Sequence, residues 1–320
     1  MHAVLKKKFN TIATKGNLNN HIGVPLTLLS LNENTEFGIV EMGANHPLEI
    51  KTLCEIAQPD FGYITNFGKA HLEGFGSVEG VIKAKSELYD YLKENQKLLF
   101  LNADDEVQKK QLTYKKVFSF GQSELADVRV EYPSCSENAG VESEKVTYNS
   151  LLTGSYNAIN IAAAICIGTY FKIAPEHIQK AIAAYSPQNN RSQILRIGNI
   201  TLIMDAYNAN PTSMMAALES FSKHPAKNKA VILGDMFELG KDSEKEHQAI
   251  VNHLERSGFK DIFLTGKNFY RTQTSAENIS KFESFEELKS EIITKDLTNT
   301  FILIKGSRGM ALERIVDFIK

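Results

Sequence analysis

Three side chains in the first part of the chain have types and spacing suited to metal-assisted chemistry on a charged substrate. Glu41 closes the apolar run Phe37-Gly38-Ile39-Val40. His71 lies in the glycine-rich stretch Gly68-Lys69-Ala70-His71-Leu72-Glu73-Gly74-Phe75-Gly76. Lys85 follows in a helical pattern that runs from about Val78 to Glu94. A carboxylate and an imidazole at neighbouring strand ends supply O and N ligands for a divalent cation, with waters and phosphate oxygens filling the rest of the sphere. On a helical wheel started at Val78, the residues Val81, Ile82, Leu88, Tyr89 and Leu92 fall within about 80° of one direction. Lys85 falls at about −20°, inside that apolar stripe, and Lys83 falls on the opposite side. An unpaired buried ammonium is costly. Lys85 therefore either snorkels to the surface or is aimed into a site, or chemically modified there.

The elements that must position these groups are short apolar runs ending in polar clusters. Phe61-Gly62-Tyr63-Ile64 leads to Thr65-Asn66, and Leu98-Leu99-Phe100-Leu101 to Asn102-Ala103-Asp104-Asp105. Thr201-Leu202-Ile203-Met204 leads to Asp205, Ala230-Val231-Ile232-Leu233 to Gly234-Asp235, and Phe301-Ile302-Leu303-Ile304 to Lys305-Gly306-Ser307-Arg308. Continuous apolar runs alternating with helices read as buried parallel strands. Ligands of open α/β sheets bind beyond the carboxyl ends of the strands. The polar ends are thus candidates as a set, although any one alone is as readily a helix cap or a turn. Residues 134–150 are polar and weakly patterned, which predicts a surface hairpin or loop. Ser155 to Phe171 is small and apolar, which predicts a buried helix. The break Ser186-Pro187-Gln188-Asn189-Asn190 precedes a new strand–helix series. Two α/β domains are expected, 1–190 and 191–320, joined near 188–195.

Composition narrows the partners. With 36 Lys+Arg against 38 Asp+Glu, the 320 residues carry a net charge of −2, which leaves no basic excess for sequence-independent nucleic-acid binding. No apolar run reaches the ~18 residues of a membrane span. The stretch Met1 to Lys8 has no apolar core of a signal peptide. Cys54, Cys135 and Cys166 are far apart and form no C-x-x-C pair. A cytoplasmic location is expected.

The longer motifs carry a resemblance. Gly16-Asn17-Leu18-Asn19-Asn20-His21-Ile22-Gly23-Val24-Pro25-Leu26-Thr27, Glu41-Met42-Gly43-Ala44-Asn45, Ile64-Thr65-Asn66, Ala70-His71-Leu72-Glu73-Gly74-Phe75-Gly76-Ser77 and Lys85-Ser86-Glu87-Leu88 resemble the Mur ligase family. So do Asp205-Ala206-Tyr207-Asn208-Ala209-Asn210-Pro211-Thr212-Ser213, Leu233-Gly234-Asp235-Met236-Phe237-Glu238-Leu239-Gly240 and Lys305-Gly306-Ser307-Arg308. The match runs in order along nearly the whole chain. It is nearest to the branch that joins D-Ala-D-Ala to a UDP-N-acetylmuramoyl-tripeptide in peptidoglycan precursor synthesis.

The resemblance implies a mainly parallel central ATPase domain followed by a Rossmann-like C-terminal domain. It implies an ATP- and Mg²⁺-dependent ligase that phosphorylates the carboxylate of the nucleotide-linked peptide and then lets an amine attack the acyl phosphate. By the same resemblance Glu41 and His71 are Mg²⁺ ligands, and Lys85 is a carbamylated lysine that helps hold a second Mg²⁺. Asn157 and Asn160 lie near the adenine. Arg191, preceded by Asn190 where the family has Gly, reaches phosphates. Asp205, Asn208 and Asn210 serve the nucleotide, Lys305 and Ser307 a substrate carboxylate, and Asn17, Asn19 and Asn20 a substrate-facing loop. The family's G-x-x-x-x-G-K-[ST] phosphate loop does not occur here: Gly68-Lys69, Gly240-Lys241 and Gly266-Lys267 lack both the first Gly and the following Ser or Thr. The expectation is an N-terminally truncated ligase, inactive alone, with a sheet edge open to non-native association. Two alternatives stay open: another Mur ligase or a folylpolyglutamate synthase relative, and a non-catalytic pseudo-ligase that binds nucleotide or a partner.

Overall fold

A computed structural model describes residues 1–69, 71–133, 138–154, 156–187 and 190–319. Ala70, Cys135, Ser155, Gln188 and Asn189, which belong to stretches singled out above, lie outside the described residues. The chain divides into two units, one of Met1–Leu151 with Asn157–Tyr185, the other of Leu152–Tyr156 with Ser186–Lys320.

The apolar runs become short strands. They are β1 (Thr11–Ala13), β2 (Phe37–Ile39), β3 (Phe61–Tyr63), β4 (Leu98–Asn102), β5 (Val117–Gly121), β6 (Val128–Arg129), β7 (Asn138–Ser143) and β8 (Val146–Thr153). The helices among and after them are α1 (His2–Leu5), α2 (Gly23–Leu29), α3 (Glu49–Ala57), α4 (Leu72–Phe75), α5 (Val78–Glu94), α6 (Tyr156–Tyr170) and α7 (Pro175–Ala183). β1 and β2 pair in parallel, and β3-β4-β5-β6 form a second parallel sheet in that order. β7 and β8 make the hairpin, turning through Glu144 and Lys145, both with positive φ, as a tight two-residue turn requires.

Aromatic rings lock the amino-terminal ends of the first unit's strands. Phe37 and Phe61, the first residues of β2 and β3, stack at 6.4 Å. Phe171 meets their edges at 4.8 and 5.0 Å, and Tyr170 meets Phe100 at 5.3 Å. Each such pair contributes about 0.5–1.5 kcal/mol beyond area burial. The opposite, carboxyl ends are left to loops. α6 is apolar on nearly every side and buries Ala162, Ala163, Ala164, Ile165 and Cys166, as a core helix must.

The second unit is one sheet of β9 (Gln193–Ile197), β10 (Ile200–Asp205), β11 (Lys229–Gly234), β12 (Asp261–Thr265), β13 (Ile279–Phe282) and β14 (Phe301–Lys305). Its order is β13-β12-β11-β14-β10-β9, parallel throughout except for the antiparallel edge strand β9. Helices α8 (Pro211–Ser222), α9 (Ser243–Leu254), α10 (Lys267–Arg271) and α11 (Phe285–Thr294) follow its strands. Leu202, Met204, Ile232, Phe263, Ile302, Ile304, Leu312 and Ile315 make its core. Among the described residues no helix is long and apolar enough to cross a membrane.

Candidate active site

In the first unit the site is assembled from loops at the carboxyl ends of β2 and β3. Glu41 lies two residues beyond β2. Its N–H donates to Thr14 Oγ1 at 2.9 Å, and its Oε1 accepts Asn19 Nδ2 at 2.9 Å. Gly43 N–H returns to Asn19 O at 2.8 Å. A Cβ on Gly43 would lie 2.7 Å from Asn19 Nδ2, so only glycine lets the amide sit there undisturbed. Behind this loop the Cys54 thiol contacts Met42 Sδ at 3.8 Å. Burial pushes that thiol up to about 12, so it stays protonated and unreactive.

His71 has a left-handed backbone, φ 53°, which costs a non-glycine residue about 1–2 kcal/mol. The turn it starts, with its carbonyl accepting Gly74 N and Phe75 N at 3.1 Å each, is seated against the segment that follows Glu41. A Cβ on Gly74 would fall 1.9 Å from Asn45 O. The Glu41 and His71 loops are therefore in direct contact.

Lys85 reaches the same loops from α5. Its Nζ donates to Asn66 O at 2.7 Å, on the segment between β3 and His71. Burial holds its ammonium below the usual lysine range, whereas Lys83 is exposed. Two neighbours that sequence reasoning gave no role fix α5 in rotation. Glu87 accepts Leu48 N at 2.8 Å and Lys51 N at 3.0 Å, satisfying open N–H groups at the start of α3. Gln108, fully buried, accepts Tyr89 OH and Asn102 N and donates to Ile64 O. Glu87 lies in the Lys85-Ser86-Glu87-Leu88 motif; Gln108 had no local signal. Among the described residues no three His, Cys, Asp or Glu side chains form a ready-made metal cluster.

Of the remaining first-unit candidates, Asn20 accepts Ile22 N and Gly23 N at 3.1 and 2.9 Å and so opens α2. Asn17 is exposed. Asn160 Nδ2 donates to Asn157 Oδ1 at 3.1 Å, one helical turn away.

In the second unit Asp205 and Lys305 are direct partners in the β10–β14 register. Lys305 Nζ lies 2.6 Å from Asp205 Oδ2 and 3.4 Å from Asn208 O. Asp205 Oδ1 accepts Ser192 N at 3.0 Å. Arg191, next to Ser192, stacks its guanidinium 3.8 Å from the Tyr207 ring centre. Asn210 caps α8 in a reciprocal capping box with Ser213, and Asn208 Oδ1 accepts Ala209 N. Lys305 and Ser307 are each only 3% exposed. The carboxylate that Lys305 receives is an internal one, because strand pairing puts Asp205 beside it, and Ser307 Oγ bonds Phe237 N and Ala209 O.

The Mur ligase middle domain matches residues 1–168, and the Mur ligase glutamate ligase domain matches residues 190–308. The chain belongs to the Mur ligase family. UDP-N-acetylmuramoyl-tripeptide–D-alanyl-D-alanine ligase of Bacillus subtilis is 33% identical over 99% of this chain and 71% of its own length. The Escherichia coli ligase of that name is 30% identical over 98% of this chain and 72% of its own length. Among solved structures, MurF from Acinetobacter baumannii superposes with a TM-score of 0.87 at 28% identity, covering 98% of this chain and 71% of that one. Both halves of this Mur ligase therefore share the family fold, and the Glu41, His71 and Lys85 loops meet within its middle domain.

Proposed function

We propose that this Mur ligase performs ATP-dependent peptide-bond formation, joining D-alanyl-D-alanine to a UDP-N-acetylmuramoyl-tripeptide. The observation that carries the reading is the seating of Lys85 on the segment leading to His71, itself packed against the Glu41 loop, in a chain related nearly end to end to ligases of that name. The residues 1–190 are taken as the ATP-binding domain and 191–320 as the C-terminal domain.

The donor set fits Mg²⁺. Glu41 supplies an oriented carboxylate and His71 an imidazole. The Lys85 amine, shifted by burial toward its neutral form, can attack CO₂ through its nitrogen lone pair and lose a proton to water, leaving a carbamate anion. Such oxygen-rich, partly hydrated donors suit the ion, which would offset charge on the phosphate oxygens as the phosphoryl group moves. Asn19 keeps Glu41 aimed, Asn17 and Asn20 flank that loop, and Asn157 and Asn160 present an amide pair to adenine. Arg191 is pre-stacked for phosphate. Asp205 and Lys305 hold the Arg191 segment and Asn208 in place, Asn210 anchors α8, and Ser307, bonded to Phe237 N and Ala209 O, is assigned to the side of the amine substrate. The peptide carboxylate takes the γ-phosphoryl group, the amine attacks the acyl carbon, and inorganic phosphate leaves.

The test is phosphate release by this chain joined to the part of the Bacillus subtilis relative that it does not match. Release that requires ATP, the nucleotide tripeptide and D-Ala-D-Ala together supports the reading. A folded chimera that binds ATP and releases nothing would favour the non-catalytic, nucleotide- or partner-binding alternative.

A further inference from the structure

The turn after β11, from Gly234 to Gly240, carries none of the roles assigned above. It buries Asp235, Met236 and Leu239, yet leaves Phe237 42% exposed. The Phe237 ring covers Gly309, where a Cβ would lie 2.7 Å from the ring. Phe237 N donates to Ser307 Oγ at 2.8 Å, and Ser307 N donates to Asp235 O at 3.1 Å. Ser307 and the turn are thus cross-linked at the carboxyl ends of β14 and β11, the edge where open α/β sheets bind ligands. A half-exposed aromatic ring there offers apolar contact to a small side chain.

What shapes the turn is His247 on α9, which is fully buried. Its Nδ1 lies 2.7 Å from Ser243 O, and its Nε2 lies 3.0 Å from Met236 N. A carbonyl only accepts and a backbone N–H only donates. Nδ1 must therefore carry the proton and Nε2 must be bare, which describes a neutral imidazole. The charged groups facing it are the Asp235 carboxylate, 3.7 Å from Nε2, and Glu246 on its own helix. The Asp235 oxygens already accept Asn268 N and Phe269 N at 2.9 Å each, and α10 presents the Phe269 ring edge-on at 4.7 Å.

We propose that His247 is a positioning residue: by accepting the Met236 amide it fixes the turn that sets Phe237 beside Ser307, and that pair forms a wall for the small side chains of the incoming amine. The identity of the ligand rests on the ligase reading above; the positioning does not. Burial outweighs the two carboxylates and holds the imidazole below the usual histidine range, which agrees with its acceptor role. Protonation at low pH would convert Nε2 from acceptor to donor and break the Met236 bond.

The experiment is amide hydrogen exchange on the 320-residue chain, read at Met236 and Phe237 and corrected for intrinsic rates. His247→Ala is expected to speed exchange at both about tenfold, the scale of one lost hydrogen bond. His247→Gln, which keeps a non-titrating acceptor, restores protection. In the parent, protection at these amides falls as pH drops below the ordinary histidine range, and in the Gln variant it does not. This pH arm needs no variant that risks unfolding. Unchanged exchange in folded His247→Ala, or a flat pH profile in the parent, overturns the positioning. D-Ala-D-Ala titrated as the probe should shift the backbone amides of Phe237 and Ser307 in the parent, and the Ser307 amide less in Phe237→Ala. Shifts confined to other residues overturn the wall and leave the ligase reading intact. An inactive chimera with no dipeptide shift anywhere removes the amine ligand, and exchange alone then decides the positioning.

Discussion

Lys305 and Asp205 face each other at the carboxyl ends of adjacent parallel strands, with Nζ 2.6 Å from Oδ2. The second carboxylate oxygen accepts the Ser192 amide, so one side chain joins β14 to the segment that carries Arg191. Arg191 is then fixed by stacking on Tyr207, whose own N–H donates to Asn190 O at 3.1 Å. A buried ion pair thereby places an exposed cation.

Breaking that pair on one side should be severe. Lys305→Met leaves a largely buried carboxylate without its counter-charge and is expected to destabilise the second unit by about 3–5 kcal/mol. Asp205→Asn combined with Lys305→Met should recover much of the loss, because no buried charge then remains uncompensated. Urea unfolding of the single and double variants checks both. A single-variant loss below about 1 kcal/mol, the range of a solvent-screened pair, would show that the pair does not hold the Arg191 segment.

The environment of Lys85 predicts its chemistry. With the ammonium held below the usual lysine range by burial, more neutral amine is present at pH 8 than on an exposed lysine. Incubation with ¹³C-bicarbonate should give a carbamate carbon signal that strengthens from pH 7 to pH 8.5 and is absent in Lys85→Arg. Equal signals from parent and variant would show that the carbamate forms elsewhere.

Glu87 should matter for stability rather than for the chemical step. It accepts two backbone N–H groups at the start of α3, a cap worth about 1–2 kcal/mol. Glu87→Ala is expected to lower unfolding free energy by that amount, and Glu87→Gln by less. Thermal unfolding followed by circular dichroism separates the two. Identical midpoints for all three proteins would exclude the cap.

No G-x-x-x-x-G-K-[ST] motif occurs among the 320 residues, and positioning of the phosphates carries most of phosphoryl transfer. The 320-residue polypeptide is expected to bind ATP weakly and to release no phosphate above background with both substrates. Lys85→Ala should abolish most of the turnover of the chimera. Turnover by the short polypeptide comparable to that of the chimera would mean that another segment cradles the phosphates.

The amino-acid sequence by itself determined the elements and the faces they bury. Continuous apolar runs specify parallel strands because both faces are covered, and helical periodicity turns Lys85 inward and Lys83 outward. Motifs of six or more residues were enough to carry the family resemblance. What only the tertiary structure decided is which polar groups partner one another. Asp205 meets Lys305 because the sheet order puts β14 between β10 and β11, an adjacency that no local pattern encodes. Asn20 and Asn210, expected to face ligands, have side chains engaged at the starts of α2 and α8, since a helix start competes for the same amide oxygen that a ligand would use. His247 and Gln108 had no signal for the same reason. A buried polar side chain is defined by the donors and acceptors folded around it, and these come from distant parts of the chain.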